Sequence, residues 1–444
     1  MLKPEKILFL YTDKTKTTLN RIVEYCKLDI SAIEMEKVSE TDPVCIYQEI
    51  KRAYLEWDKP DKLYIDFTGG TKAMSAAAAM AGSLISVQLV YVGTNDYLVD
   101  FRKPEPGFET LYYISNPIEI FGDLEIEKAV ALFGQYNYSG AAEKLNVLKE
   151  QVPDPELRQQ LNFVFLLAKT YEAWDALEFQ DAYDMIQVLN RQLNRDKSLH
   201  STFWLMDMAG VLQKQQGILE KLLVIPELAK KKDQMGIFEN RECMISLMFT
   251  LYQNAMVRQK QEKYDMATLL MYRLLEMVEQ KRLANYGLNV SRMEYGKIPY
   301  GKCGFSEVAQ LSEEEQRNWL RNEILDVKKQ MFKNANRYHL PEQISLLDGF
   351  TLLHVLGDAI CESGKITGVN KLKMIRSMVF LRNNSIFAHG LGPVSREEYN
   401  KFRGFVETIF HEFCQIEGIP FEEYKSWIAW VNPIQSRNYS GMEV

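Results

Sequence analysis

A chain of 444 residues, 46% apolar and 11% aromatic, is long enough for two or three domains with a substantial core; no low-complexity tract points to disorder. No uninterrupted apolar run approaches the ~18 residues of a membrane span, and the opening MLKPEKILFLYTDKTK holds an apolar run too short for a secretory leader. The net charge of −7 disfavours non-specific nucleic-acid binding, so an RNA or DNA substrate would need a local basic patch. The six cysteines (26, 45, 243, 303, 361, 414) form no CxxC pair, which predicts a reduced, cytoplasmic protein without a zinc site.

In chain order, KILFLYT (6–12) is a continuous apolar run of the kind that fills buried parallel strands. DPVCIYQEIKRAYLEW (42–57) has helical spacing, KLYIDFT (62–68) is a second strand, AMSAAAAMAGSLI (73–85) a helix and VQLVYVG (87–93) a third strand. Strands alternating with helices predict a Rossmann-like parallel sheet, whose ligands sit beyond the carboxyl ends of its strands. Thr12 to Lys16, Thr68 to Lys72 and Gly93 to Asp96 all lie at such ends and are expected to converge. ISNPIEIFGDLE (114–125) reads as a boundary, beyond which helical patterns dominate. YSGAAEKL (138–145), FQDAYDMI (179–186) and YDMATLLM (264–271) each set an aromatic residue three positions before an alanine at a helix start. Ordinary antiparallel helix packing accounts for them. YGLNVSRMEYGKIPYGKCGF (286–305) is a long glycine-rich loop with no assignable role.

Two stretches carry chemistry. In DFTGGTKAMSAAAAMAG (66–82), Gly69 and Gly70 let backbone approach a ligand, and the following helix offers unpaired N–H groups. Thr68 and Thr71 add hydroxyls and Lys72 a cation, so this is an anion site. Ala73 stands where a P-loop needs its magnesium-binding Ser or Thr, which disfavours nucleotide hydrolysis. In KLKMIRSMVFLRNNSIFAHGLGP (371–393), Lys371, Lys373, Arg376 and Arg382 form a locally basic run. Helical spacing puts Arg382 and His389 on one stripe, nearly two turns apart, with Ser385 close by. Gly390, Gly392 and Pro393 would end that helix, leaving the histidine in its last turn, where the helix dipole favours the imidazolium. Histidine titrates near neutral pH, and a guanidinium matches a phosphate, so the pair suits metal-independent RNA cleavage.

Together the two stretches resemble the ancillary ribonucleases of type III CRISPR systems, which join an N-terminal CARF domain to a C-terminal HEPN domain. Asp66, Thr68, Gly69, Gly70, Thr71 and Lys72 resemble the CARF ligand loop; RNNSIFAH, with Arg382, Asn383 and His389, resembles the HEPN pattern. The resemblance implies a Rossmann-like CARF domain (1–118), an all-α helical connector (119–235) and an all-α HEPN domain (236–444). It implies a cyclic oligoadenylate activator bound by Thr12, Thr68, Gly69, Gly70, Thr71, Lys72 and Asn95. It also implies a homodimer cutting single-stranded RNA with Arg382, Asn383, Ser385 and His389, without metal or other cofactor, and with no membrane partner. The products would carry 2′,3′-cyclic phosphate. The alternative is a non-catalytic sensor that acts through its helical region.

Overall fold

The computed structural model describes residues 4–94, 97–98, 103–105, 107–115, 122–196, 203–386 and 390–432. They divide into two compact units: Met1–Lys128 with Asn146–Leu161, and Ala129–Leu145 with Asn162–Val444. The chain is a Rossmann-like α/β segment followed by an all-α remainder, and no helix among the described residues is long and apolar enough to cross a membrane.

In the first unit, β1 (Ile7–Tyr11) pairs in parallel with β2 (Ile33–Lys37), and β3 (Tyr64–Asp66) in parallel with β4 (Gln88–Thr94). A short hairpin joins β5 (Tyr97–Leu98) to β6 (Lys103–Pro104), and β7 (Glu109–Ile114) closes β4 on its antiparallel side. The expected parallel sheet is therefore divided among the described residues, with an antiparallel edge. Three helices serve it: α1 (Lys16–Tyr25), α2 (Pro43–Glu56) and α3 (Lys72–Leu84). Leu10 of β1 and Ile65 of β3 pack on one core, built from Val38, Ile46 and Ile50 beside Ala77, Ala78 and Ala81 of α3. The small residues of α3 permit a close approach: a Cβ at Gly82 would lie 2.5 Å from Leu89 Cδ2. β2 was not evident from its pattern, IEMEK, because its carboxylates are occupied. Glu34 and Glu36 face Arg52 of α2, and Glu34 also accepts from Trp57 Nε1 at 2.9 Å.

Helices continue with α4 (Asp123–Gly134), α5 (Tyr138–Gln151), α6 (Pro155–Asp175), α7 (Phe179–Asp196), α8 (Trp204–Asp207), α9 (Ala209–Leu222), α10 (Ile225–Lys231) and α11 (Gln234–Glu239). The last group comprises α12 (Arg241–Lys260), α13 (Tyr264–Ala284), α14 (Glu313–Met331), α15 (Leu346–Val355), α16 (Ala359–Glu362), α17 (Gly368–Asn383), α18 (Arg396–Ile416) and α19 (Phe421–Ile428). The three aromatic–alanine motifs open α5, α7 and α13, and each follows the same turn. Tyr136, Leu177 and Glu262 have φ of 60°, 62° and 59°, and the next residue's N–H reaches back five positions to Leu132, Ala173 and Arg258. These are Schellman caps made without glycine, so the faint repeat is a repeat of turns. Ala141, Ala182 and Ala267 behind them are fully buried. Residues 286–305 are pinned down rather than open: Met293 N–H donates to Glu342 O, Tyr295 Oη to Pro341 O, and Tyr300 is buried.

Two polar clusters sit in the helical core. Arg282 of α13 forks onto Asp358 and also reaches Glu417. Glu279, one turn earlier, is buried, and its Oε1 has no hydrogen-bond partner. Burial, then the nearby Glu276 and Asp348 charges, push its carboxyl well above the usual range, against the pull of Arg273. The folded state thus holds this proton to higher pH than the unfolded chain, whose glutamates ionise near pH ~4.3. The stability that the proton carries is complete below that value and is lost as pH rises, by about 1.4 kcal/mol per unit, until the folded-state pKa is passed. Glu279→Gln is therefore expected to match the parent in urea midpoint near pH ~4 and exceed it near neutrality. An equal difference at both pH values would refute this.

Candidate ligand loop and nuclease site

The strand β3 stops because Asp66 Oδ1 accepts from Thr68 N–H at 2.9 Å, folding the chain into a turn. Thr68 Oγ1 accepts from Val92 N–H of β4 at 2.7 Å. Thr71 caps α3, accepting from Met74 N–H, and donates to Glu40 O at 2.8 Å. Ser75 Oγ donates to Phe67 O at 3.0 Å. Both threonine hydroxyls thus have fold partners, while the backbone of Gly69 and Gly70, the start of α3 and the exposed Lys72 face outward. Gly70 adopts φ +91°, and a Cβ there would press on Met74; at Gly69 nothing lies within 4 Å of one.

The first loop joins the same place. Thr12 is nearly buried; its N–H donates to Thr15 Oγ1, and its carbonyl receives Thr15 and Lys16 N–H at the start of α1. Lys14 Nζ lies 2.9 Å from Glu40 Oε1. Glu40, in the loop after β2, therefore ties the ends of β1 and β3 together. Its role is not legible in the sequence because the strand it follows, β2, is masked by its charges. The structure brings together the loops of Thr12 and Thr68–Lys72; of the third stretch, Gly93 and Thr94 end β4, paired with β7, and Asn95 and Asp96 lie outside the described residues.

The C-terminal motif departs from its helical reading. The helix α17 ends at Asn383 with Asn384 as C-cap, short of His389, so the two-turn stripe does not exist. Ser385 is buried and bridges to Gly392; Ile386 N–H donates to Gly392 O at 3.2 Å and Gly390 N–H to Ser385 O at 3.1 Å. The asparagines and serine that follow Arg382 favour local turns over helix. His389 lies outside the described residues.

The expected basic run is also broken up. Lys371 is buried, donating to Ile360 O, Ser363 O and Glu412 Oε2. Arg376 donates to Met331 O at 2.9 Å and stacks on Phe332. Arg382 lies near the end of α17: its Cζ lies 4.5 Å from the Tyr272 ring centroid, and Nη1 donates to Asn383 Oδ1 at 3.0 Å. Its Nε is buried without a partner. Burial pushes the Tyr272 hydroxyl above its ordinary value, so a neutral ring faces the guanidinium.

Three family models match in sequence: the Card1 CARF domain over residues 1–102, the Csm6 6H domain over 121–219 and the Csm6 HEPN domain over 238–412. They define a protein with an N-terminal CARF module, a helical middle and a C-terminal HEPN module. The chain belongs to the CARF–HEPN ancillary nucleases of type III CRISPR systems. The CRISPR system endoribonuclease Csm6 of Thermus thermophilus is 28% identical over 391 residues, covering 87% of this chain and 75% of that protein. The structure of Enterococcus italicus Csm6 bound to cyclic hexa-2′-fluoro-hexa-dAMP matches in fold, with TM-score 0.51 and 11% identity over 96% of this chain and 90% of that one. The middle helices, which carried no recognised sequence motif, are the 6H match.

Proposed function

We propose that the protein is a cyclic-oligoadenylate-activated, metal-independent endoribonuclease of type III CRISPR defence, acting in the cytoplasm on single-stranded RNA. The observation that carries this is the guanidinium of Arg382, held at the end of α17 by Tyr272 and Asn383 within the HEPN match. In this reading Arg382 stabilises charge developing on the scissile phosphate. His389 moves the proton of the attacking 2′-hydroxyl or the leaving 5′-oxygen. Asn383 orients the guanidinium and Ser385 shapes the turn. The products are a 2′,3′-cyclic phosphate and a 5′-hydroxyl. The domains are CARF to about residue 118, connector to about 235 and HEPN beyond.

The activator lies on Gly69, Gly70, Lys72 and the start of α3, with Thr12, Thr68 and Thr71 shaping the seat and Asn95 as a further ligand-binding residue. The protein acts as a homodimer, a reading supported by the outward stripe of α3, where Met80 and Leu84 are 64% and 60% exposed. The test is cleavage of a fluorogenic single-stranded RNA by purified protein with each cyclic oligoadenylate in turn, in EDTA. Cleavage with one ring size and none without activator is expected; silence with every ring would leave a non-catalytic sensor.

Gly69 offers a cleaner probe of the seat than Gly70, since a side chain there meets open space. Gly69→Asp, which sets a carboxylate against the activator's phosphates, is expected to weaken binding by about tenfold or more, ~1.4 kcal/mol. Gly69→Asn, of the same size, should weaken it less. Equal calorimetric affinities for the two variants would remove the anion seat from this loop.

A further inference from the structure

The segment that follows α17 closes on itself through the Ser385–Gly392 bridge and the Ile386–Gly392 hydrogen bond. Its two flanks rest on one helix. At the near flank Arg382 lies over the ring of Tyr272. At the far flank Val394 N–H donates to both carboxylate oxygens of Asp265, each at 3.2 Å. Asp265 and Tyr272 both belong to α13 and are seven residues apart. On a helix that spacing puts them on one stripe, roughly 10 Å apart along the axis.

We infer that α13 is the template of the nuclease segment, with Asp265 and Tyr272 as positioning residues that fix the Arg382 guanidinium against the chain's exit at Val394. The inference rests on Arg382 being the phosphate-binding group proposed above. The ring of Tyr272, rather than its hydroxyl, is the working part: it offers a flat, electron-rich face to a guanidinium whose Nε has no other partner. Asp265 acts through backbone, so an acceptor oxygen is what matters. It also sits in the first turn of α13, where a carboxylate suits the helix dipole.

The test uses the full-length protein at saturating activator, measuring kcat, KM and melting temperature for four variants beside Arg382→Ala. Tyr272→Leu and Asp265→Ala are each expected to lower kcat by roughly 3–30-fold with KM unchanged. Tyr272→Phe keeps the ring and Asp265→Asn keeps an acceptor, so both should stay within about twofold of the parent. If Arg382→Ala is inactive while Tyr272→Leu and Asp265→Ala keep the parent kcat, the template is wrong and the nuclease reading stands. If Arg382→Ala is active, the nuclease reading itself falls. Loss of kcat that tracks melting temperature across all four variants, the Phe and Asn variants included, would reduce α13 to a scaffold and also overturn the inference.

Discussion

Replacing His389 by alanine is expected to lower activated RNA cleavage by roughly 10²–10⁴, the usual worth of a general acid–base group. Arg382→Ala should lose a comparable factor, because charge developing on the phosphate loses its partner. Arg382→Lys should not restore it, since an ammonium supplies charge but neither the planar fork nor the flat face that lies on Tyr272. Neither variant should alter activator affinity, because the glycine loop is built from a different part of the chain. The readout is single-turnover cleavage of a defined RNA with a parallel titration of cyclic oligoadenylate. A substrate with deoxyribose at the scissile position should resist cleavage, because the nucleophile is then missing. Cleavage of that deoxy substrate, or a strict magnesium requirement, would show that Arg382 and His389 have been given the wrong chemistry.

The second large effect concerns the fold of the helical unit. Arg282 bonds Asp358 through Nε at 3.0 Å and Nη2 at 2.7 Å, and Glu417 through Nη1 at 2.6 Å. Tyr286 Oη and Ile360 N–H complete the shell of Asp358, and Asn285 adds a donor to Glu417. The Asp358 side chain is fully buried and that of Arg282 nearly so. Arg282→Met would fill much of the space while leaving a buried carboxylate without its cation, so a loss of about 3–5 kcal/mol in urea denaturation is expected. Removing both charges, as Arg282→Met with Asp358→Leu, should recover much of that loss. A single variant within about 1 kcal/mol of the parent would mean that the network is far better hydrated than its burial implies.

The legible parts of the sequence were those where one physical demand dominates. Paired glycines before an alanine-rich helix announced a close backbone approach, and apolar runs announced β1, β3 and β4. What stayed hidden was decided by partners distant in sequence. The charges of β2 mask a strand because Arg52 answers them from α2, and with β2 went Glu40, the residue that joins the loops after β1 and β3. Lys371 looked like part of a basic approach, yet Glu412, 41 positions on, draws it into the core. Seven-residue spacing suggested one helical stripe for Arg382 and His389, but Asn384 and Ser385 end the helix between them. The middle helices have no chemistry to read, and only their repeated turns mark them.

Two glycines of the helical unit lean on carboxylates. A Cβ at Gly349 would overlap Oε1 of Glu279, and one at Gly364 would overlap Oε1 of Glu412, the partner of Lys371. Each glycine is therefore half of a fitted pair, in which a side chain added on the glycine side forces the carboxylate side chain to move or shorten. Alanine at 349 displaces the buried Glu279 carboxylate unless residue 279 is shorter; at 364 the left-handed backbone, φ +87°, makes the restriction tighter still. Enlargements at 349 and 364 should therefore be inherited with changes at 279 and 412.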